Sequence, residues 1–282
     1  MQTRRNAYLL LIFISSHLLL IGQPVSTRVS EDLEKLYDRL VKIPDDTVRI
    51  RINDSILTIV ESYVESDSVF DHRFSNVRYL GQITSPDSII KIVTWNLVLR
   101  NKPGRYFCFI IRRKPDVTPP LIYRFDVEYN PQQIKTDTTY SSGDWYGALY
   151  YDVRPQTVNG LKCWVLLGID YGNTLITRKI IDILSFGQDD KIVLGMNIFL
   201  TGDTTRYRAV FEYSAAATMT LRFDGDESII FDHLVPFSPE LSNDRQYYGP
   251  NYSNDAFIME DGFWRFKQNV EARNREKKIN QP

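Results

Sequence analysis

Apolar residues follow two different rhythms along this chain. From Ser30 the sequence reads SEDLEKLYDRLVKIP, in which Leu33, Leu36, Tyr37, Leu40 and Val41 recur at helical spacing. Ser30 is placed to cap that helix, Glu31 and Asp32 suit its positive end, and Pro44 closes it. Asp45 and Asp46 open a second helix whose apolar stripe is Val48, Ile52, Ile56, Ile59, Val60 and Tyr63. Beyond residue 76 the rhythm shortens to runs of Ile, Val, Tyr and Phe broken by Gly, Pro, Asn and Asp, the pattern of strands. Strands are predicted at 78–84, 89–95, 106–112, 121–127, 146–153, 162–169, 179–186, 192–199, 207–213, 218–223 and 228–234, with a final pair around Asp261-Gly262.

Asn159-Gly160, Asp224-Gly225 and Asp261-Gly262 are hairpin dipeptides, because their glycines tolerate positive φ. Short turns in close succession imply antiparallel pairing, since parallel strands need long crossovers. KIIDILSF, at 179–186, is assigned to a strand on its brevity and β-branching. Residues 235–255, rich in Pro, Ser, Asn and Tyr, are predicted to be a long irregular excursion. The expected fold class is α+β, as a single domain over 23–282. Two N-terminal helices (30–70) pack on a mainly antiparallel β-sheet system (77–268), either a sandwich or an incomplete propeller-like meander, followed by a polar tail (269–282).

Composition bounds the partners. With 43% hydrophobic and 13% aromatic residues the chain has ample material for a core. Its 34 Lys and Arg against 35 Asp and Glu are interspersed, which gives no basic face for a phosphate backbone and makes nucleic acid an unexpected partner. The opening MQTRRNAYLLLIFISSHLLLIGQPVS has two arginines, an apolar stretch from Ala7 to Gly22, and then small and turn-forming residues. That is the layout of a signal peptide over 1–22, with cleavage after Gly22 in preference to Ser26. A spanning helix wants about 20 apolar residues, and this run is shorter and interrupted by Ser15, Ser16 and His17. The expectation is an exported protein, periplasmic or cell-surface associated, with no transmembrane segment once the signal is removed.

Two cysteines remain in an oxidising compartment. Cys108 in RYFCFIIRR and Cys163 in GLKCWVLLG both sit in predicted strands. They are read first as small core residues and second as one bridge. Neither has a C-x-x-C or histidine neighbourhood, so no metal ligand is expected.

Histidine is the scarcest reagent, since only His72 and His233 follow the signal segment. Three-histidine zinc sites, H-E-x-x-H, G-x-S-x-G and the glycine-rich phosphate loops are all missing, and no cofactor is expected. Asp232 and His233 adjoin in ESIIFDHLVP, but strand alternation sends them to opposite faces: Ile229, Phe231 and His233 share one, and Ile230, Asp232 and Leu234 the other. They can meet only through a bulge. Paired carboxylates about 5 to 10 Å apart suffice for glycan cleavage. The acids set among aromatics and strand ends are Asp144, Asp152, Asp170, Glu212 and Asp232. Tyr247, Tyr248, Asn251 and Tyr252 form the densest aromatic group outside the predicted strands and are the candidate binding residues.

The phrases SPDSIIKIVTWN, GALYYDVRP, LLGIDYGN, KIIDILSFGQDDKIVLG, FEYSAAATMTLRFD, IIFDHLVP and YYGPNYSNDAF together resemble a group of exported proteins common among Bacteroidetes, over about Val48 to Asn274. The chain departs from the group in having Ile169 where its pattern has Trp. The resemblance implies a β-rich envelope protein and brings no activity, cofactor or catalytic residue. The leading functional expectation is a non-enzymatic exported protein that binds a partner protein or a glycan. The alternative is a glycan hydrolase using two of the five acids.

Overall fold

A computed structural model describes residues 25–271, so the expected signal segment and most of the expected tail lie outside the described residues. Two helices come first, α1 (Val25–Lys42) and α2 (Asp46–Val64), and β1 (Gly81–Thr84), β2 (Ile90–Leu97), β3 (Arg105–Lys114) and β4 (Val117–Glu128) follow. Next are β5 (Leu149–Val158), β6 (Leu161–Asp170), β7 (Ile176–Phe186), β8 (Ile192–Leu194), β9 (Phe199–Thr201), β10 (Thr204–Arg206) and β11 (Ala209–Ser214). The chain continues with β12 (Leu221–Phe223), β13 (Ser228–Pro236), β14 (Tyr248–Glu260) and β15 (Phe263–Lys267). Three open sheets result: a first in the order β1-β2-β3-β4, a middle one β11-β7-β6-β5 with β8 beside β7, and an outer one β10-β9-β15-β14-β13-β12. Pairing is antiparallel throughout except between β15 and β9.

The fold is thus α+β, built as a stack of four layers. Asp45 caps α2 by accepting the Val48 N–H at 2.8 Å. Its neighbour Asp46 takes the Arg100 and Asn101 N–H groups, each at 2.8 Å, and pins the start of the helix to the β2–β3 loop. One core joins the helices, through Leu33, Tyr37, Ile52, Ile56 and Val60, to Val93, Trp95, Phe107 and Phe109 of the first sheet. The alternate residues of the same strands, Ile90, Ile92, Tyr106, Cys108 and Ile110, face the other way and meet Tyr150, Trp164, Leu166 and Ile180 of the middle sheet. A third core joins Cys163, Val165, Leu167, Ile181 and Ile183 to Phe199, Ile229, Phe231, Phe257 and Trp264 of the outer sheet. Two sheets are therefore covered on both faces, which is why runs such as YFCFII and CWVLL are apolar without alternation. Cys108 and Cys163 lie in different cores as buried free thiols, and burial raises both, Cys163 to about 11.

Four readings of the sequence differ from the structure. Helix α1 starts at Val25, so Ser30 lies inside it and is not its cap, and Glu31 and Asp32 fall beyond its first turn. The strand expected over 192–199 is broken at Gly195, whose φ of +103° turns the chain from β8 in the middle sheet toward β9 in the outer one. A Cβ there would come within 2.5 Å of the Arg208 guanidinium, so only glycine leaves room for that side chain. The polar strand β10 was not anticipated. Residues 235–255 are no irregular excursion: β13 runs on to Pro236, two one-turn 3₁₀ helices follow at Pro239–Leu241 and Arg245–Tyr247, and β14 starts at Tyr248.

Inside the twice-covered middle sheet Asp182 and Arg208 are fully buried as an ion pair, with Arg208 Nε 3.1 Å from Asp182 Oδ2. Asp182 also accepts from the Tyr146 hydroxyl at 2.7 Å and the Ile183 N–H at 2.8 Å. Burial raises the Asp182 pKa, against the pull of Arg208 and Tyr146. The other N–H groups of Arg208 donate to the carbonyls of Lys135, Thr138 and Leu194, which ties the 134–140 connection to β8. Arg208→Met is expected to cost about 3–5 kcal/mol, because it takes away the only cation paired with the buried Asp182 among the described residues. In urea titrations the Asp182→Leu/Arg208→Met double variant should lose less than Arg208→Met does.

Lys91, buried against α2, donates its ammonium to the carbonyls of Val69 and His72 and lies over the Tyr63 ring. Burial first, then Arg73, lower its pKa from 10.5 to about 8. The unfolded chain keeps that proton up to about 10.5, so between the two values it binds more protons than the folded chain does, and stability rises with pH. Across that window the wild-type chain should gain up to about 3 kcal/mol relative to Lys91→Met, measured as the difference in unfolding free energy at each pH.

Candidate functional site

The middle sheet ends at the short strand β11, and beyond that edge the inner face of the outer sheet is left uncovered. The opening is a cleft of about 300 Å³ lined by β11, by β13 and its neighbours, and by residues of the β4–β5 connection. Its walls join an aromatic surface to a polar one. Phe211 packs on Phe231 with ring centroids 4.5 Å apart, and Phe266 lies beside them. Glu212, His233, Arg245 and Asp255 supply the polar groups, and Asp232 borders the cleft. As the terminal strand of its sheet, β11 also turns its outward backbone groups to this space.

An irregularity in strand pairing places the imidazole. Between Asp232 and Leu234 β13 advances two residues while β14 passes from Asn254 to Pro250. His233 therefore faces the three residues Asn251, Tyr252 and Ser253, and the excess bows outward. Asn251 Oδ1 closes that bow by accepting the Ser253 N–H and hydroxyl, and Tyr252 is left fully exposed. Alternation still holds up to the bulge. His233 shares the face of Phe231, directly opposite Asp255, and its Nδ1 lies 2.7 Å from Asp255 Oδ2. Asp255 is 3% exposed and also accepts the Asn269 N–H at 3.1 Å. A carboxylate acceptor requires the proton on Nδ1, which leaves Nε2 as the ring's group toward the cleft.

Asp232 is not the partner of His233. Its oxygens accept the Thr220 N–H at 2.7 Å and the Asn254 amide at 3.1 Å on the opposite face. The bulge exists, yet it joins His233 to a residue 22 positions away rather than to its neighbour.

Glu212 belongs to a row of three charges across adjacent strands. Asp170 of β6, Arg178 of β7 and Glu212 of β11 are direct cross-strand partners, so their side chains share a face. Arg178 forks between the two acids, with Nε 2.8 Å from Glu212 and Nη1 3.0 Å from Asp170, and Nη2 donates to the Pro131 carbonyl at 3.3 Å. Burial works to lower the Arg178 pKa, but its hydrogen bonds to Glu212 and Asp170 and their charges outweigh that and hold it above the usual guanidinium value. Asp170 is buried and also accepts from the Tyr106 hydroxyl at 2.7 Å and the Gly172 N–H at 2.8 Å.

Of the five acids singled out in the sequence, Glu212 comes to the cleft, Asp232 borders it with its carboxylate turned to the opposite face of β13, Asp170 lies beneath it, and two lie elsewhere. Asp144 caps its own turn through Ser141, and Asp152, at an irregularity in β5, lines a separate cleft of about 400 Å³ beside Lys91 and His72. The four candidate binding residues do not line the His233 cleft among the described residues. Tyr248 is packed into the third core, Asn251 is engaged with Ser253, and Tyr247 and Tyr252 face outward. Reading along the chain missed Asp255 and Arg178, because each acts through a partner on another strand, and Arg245, because the fold of the 237–247 segment brings it to the cleft. Among the described residues no group of three or more His, Cys, Asp and Glu gathers as a metal site. Nor is any helix among them long and apolar enough to cross a membrane.

Arg178→Gln should cost about 3–5 kcal/mol in a urea unfolding experiment, since it leaves buried Asp170 without its cation. Arg178→Lys should recover only part of the loss, because an ammonium cannot fork between two carboxylates as a guanidinium does. Comparison of the chain with family models, with curated proteins and with solved structures returns no match.

Proposed function

We propose that this chain is an exported, envelope-associated protein that binds a glycan, without turnover, in the His233 cleft. The layout of the N-terminal segment and the resemblance to exported proteins of Bacteroidetes support the export half of this reading. One observation carries the binding half. The carboxylates and the imidazole on the cleft are already set by partners in the protein: Glu212 by Arg178, and His233 and Asp255 by each other. Groups held in this way lose little conformational freedom when a ligand arrives. Their remaining lone pairs suit sugar hydroxyls, and the part-exposed rings of Phe211 and Phe266 suit the apolar face of a sugar ring. A concave site of this size fits a glycan better than a flat protein surface.

Glu212 and Asp232 bordering one cleft favour the hydrolase as a second reading. That route needs one of the two to deliver a proton to the leaving oxygen. Glu212 accepts from Arg178, and both Asp232 oxygens accept N–H groups, so the two are arranged as acceptors.

The mature protein should be retained by members of an immobilised glycan panel, with calorimetry giving the affinity of each hit. Phe211→Ala and His233→Ala should weaken the best hit at least tenfold at a temperature where circular dichroism shows each variant folded; both should also lower the unfolding midpoint, because Phe211 packs on Phe231 and His233 pairs the buried Asp255. Retention of no glycan overturns the proposal. Release of new reducing ends from a bound glycan, lost in Glu212→Gln and Asp232→Asn, would replace binding with hydrolysis.

A further inference from the structure

We infer that the glycan taken by the His233 cleft is acidic, and that a sugar carboxylate of the uronate type sits on Arg245; this rests on the glycan-binding reading above. The charges around the cleft are unequally satisfied. Glu212 has Arg178, Asp255 has His233 and the Asn269 N–H, and Asp232 has the Thr220 N–H and the Asn254 amide. Among the described residues Arg245 has no carboxylate at ion-pair distance; its contact is the face of the Tyr248 ring, 4.2 Å from the guanidinium carbon.

That contact fixes the guanidinium without consuming it. A stacked guanidinium keeps its in-plane N–H groups for hydrogen bonding, and two of them match the two oxygens of a carboxylate. The platform beneath is rigid. Tyr248 is buried and donates its hydroxyl to the Ser242 carbonyl at 2.7 Å, and Asp244 caps the turn that carries Arg245 by accepting the Gln246 N–H at 3.1 Å. The Phe237 N–H donates to the Tyr247 carbonyl at 2.8 Å and holds the whole 237–247 segment against β13.

The ligand chemistry follows from what the cleft lacks. Two carboxylates, Glu212 and Asp255, whose inward donors are already in place call for hydroxyl donors from outside, and one unmatched cation calls for one anion. A dianionic phosphate would meet Glu212 and Asp255 as well as Arg245, and their repulsion opposes it. A uronate offers several hydroxyls and a single negative charge in one ring.

Calorimetry of the mature protein with a galacturonate trisaccharide, its methyl ester, the neutral galactose trisaccharide and a sulfated galactose trisaccharide tests the assignment. The acid is expected to bind at least tenfold more tightly than its ester. Arg245→Gln should bring that ratio to about one with an unchanged unfolding midpoint, and Arg245→Lys should retain part of it. An acid no tighter than its ester, or a preference that survives Arg245→Gln, overturns the inference while leaving glycan binding intact. A sulfated sugar bound more tightly than the uronate overturns the choice of carboxylate. Binding of none of the four overturns the inference together with the reading on which it rests.

Discussion

The middle sheet has no face to give to water, and the rest of the molecule is arranged around that constraint. Its strands β6 and β7 present apolar side chains to the first sheet on one side and to the outer sheet on the other. A charge on such a strand needs a partner of opposite sign inside the protein. Asp182 finds Arg208, and Arg208 gathers three carbonyls from the β4–β5 connection and from β8. One buried pair thus holds two chain segments distant in sequence. It also explains Gly195, the point at which the chain leaves the middle sheet through space that any larger residue would take from the guanidinium.

The same constraint relaxes at the sheet's edge, and there the cleft forms. Strand β11 is the last of its sheet, so the face of β13 that carries Phe231 and His233 is covered only as far as Phe211. Across three strands Asp170, Arg178 and Glu212 alternate in sign, which lets the edge carry a carboxylate whose counter-charge lies behind it. The bulge opposite His233 turns β14 outward while leaving Asp255 in register to hold the ring. Burial of the partners and exposure of the tips is the arrangement that lets polar groups meet a ligand in a preset orientation.

Several features were legible along the chain because they depend on neighbours in sequence. The helix over Leu33, Tyr37 and Leu40, the opening of α2 at Asp45 and Asp46 and the type of nearly every strand follow from spacing and turn chemistry. Positive φ at both Asn159 and Gly160 and at both Asp261 and Gly262 bears out two of the predicted hairpins. The separation of Asp232 from His233 came from alternation alone and survives the bulge. Residues 235–255 were misread for a physical reason. Proline, asparagine and glycine in β14 sit near a bulge and opposite Leu234 to Pro236, where strand pairing tolerates them, so a composition typical of loops lies within a strand.

The sequence by itself determined the class of each segment, the antiparallel pairing of close strands and the two-faced burial of the central ones, since these depend on local sterics and on the period of apolar residues. Tertiary structure alone decided which strands share a sheet and which charges meet. His233 with Asp255 and Arg178 with Asp170 and Glu212 are pairs across strands, and Asp182 with Arg208 joins a strand to the turn before β11; the partners lie between 8 and 34 residues apart. Such distances carry no periodic signal, because the contact is set by register and sheet stacking and not by spacing along the chain. The cleft is of the same kind, produced where one layer stops short of the next.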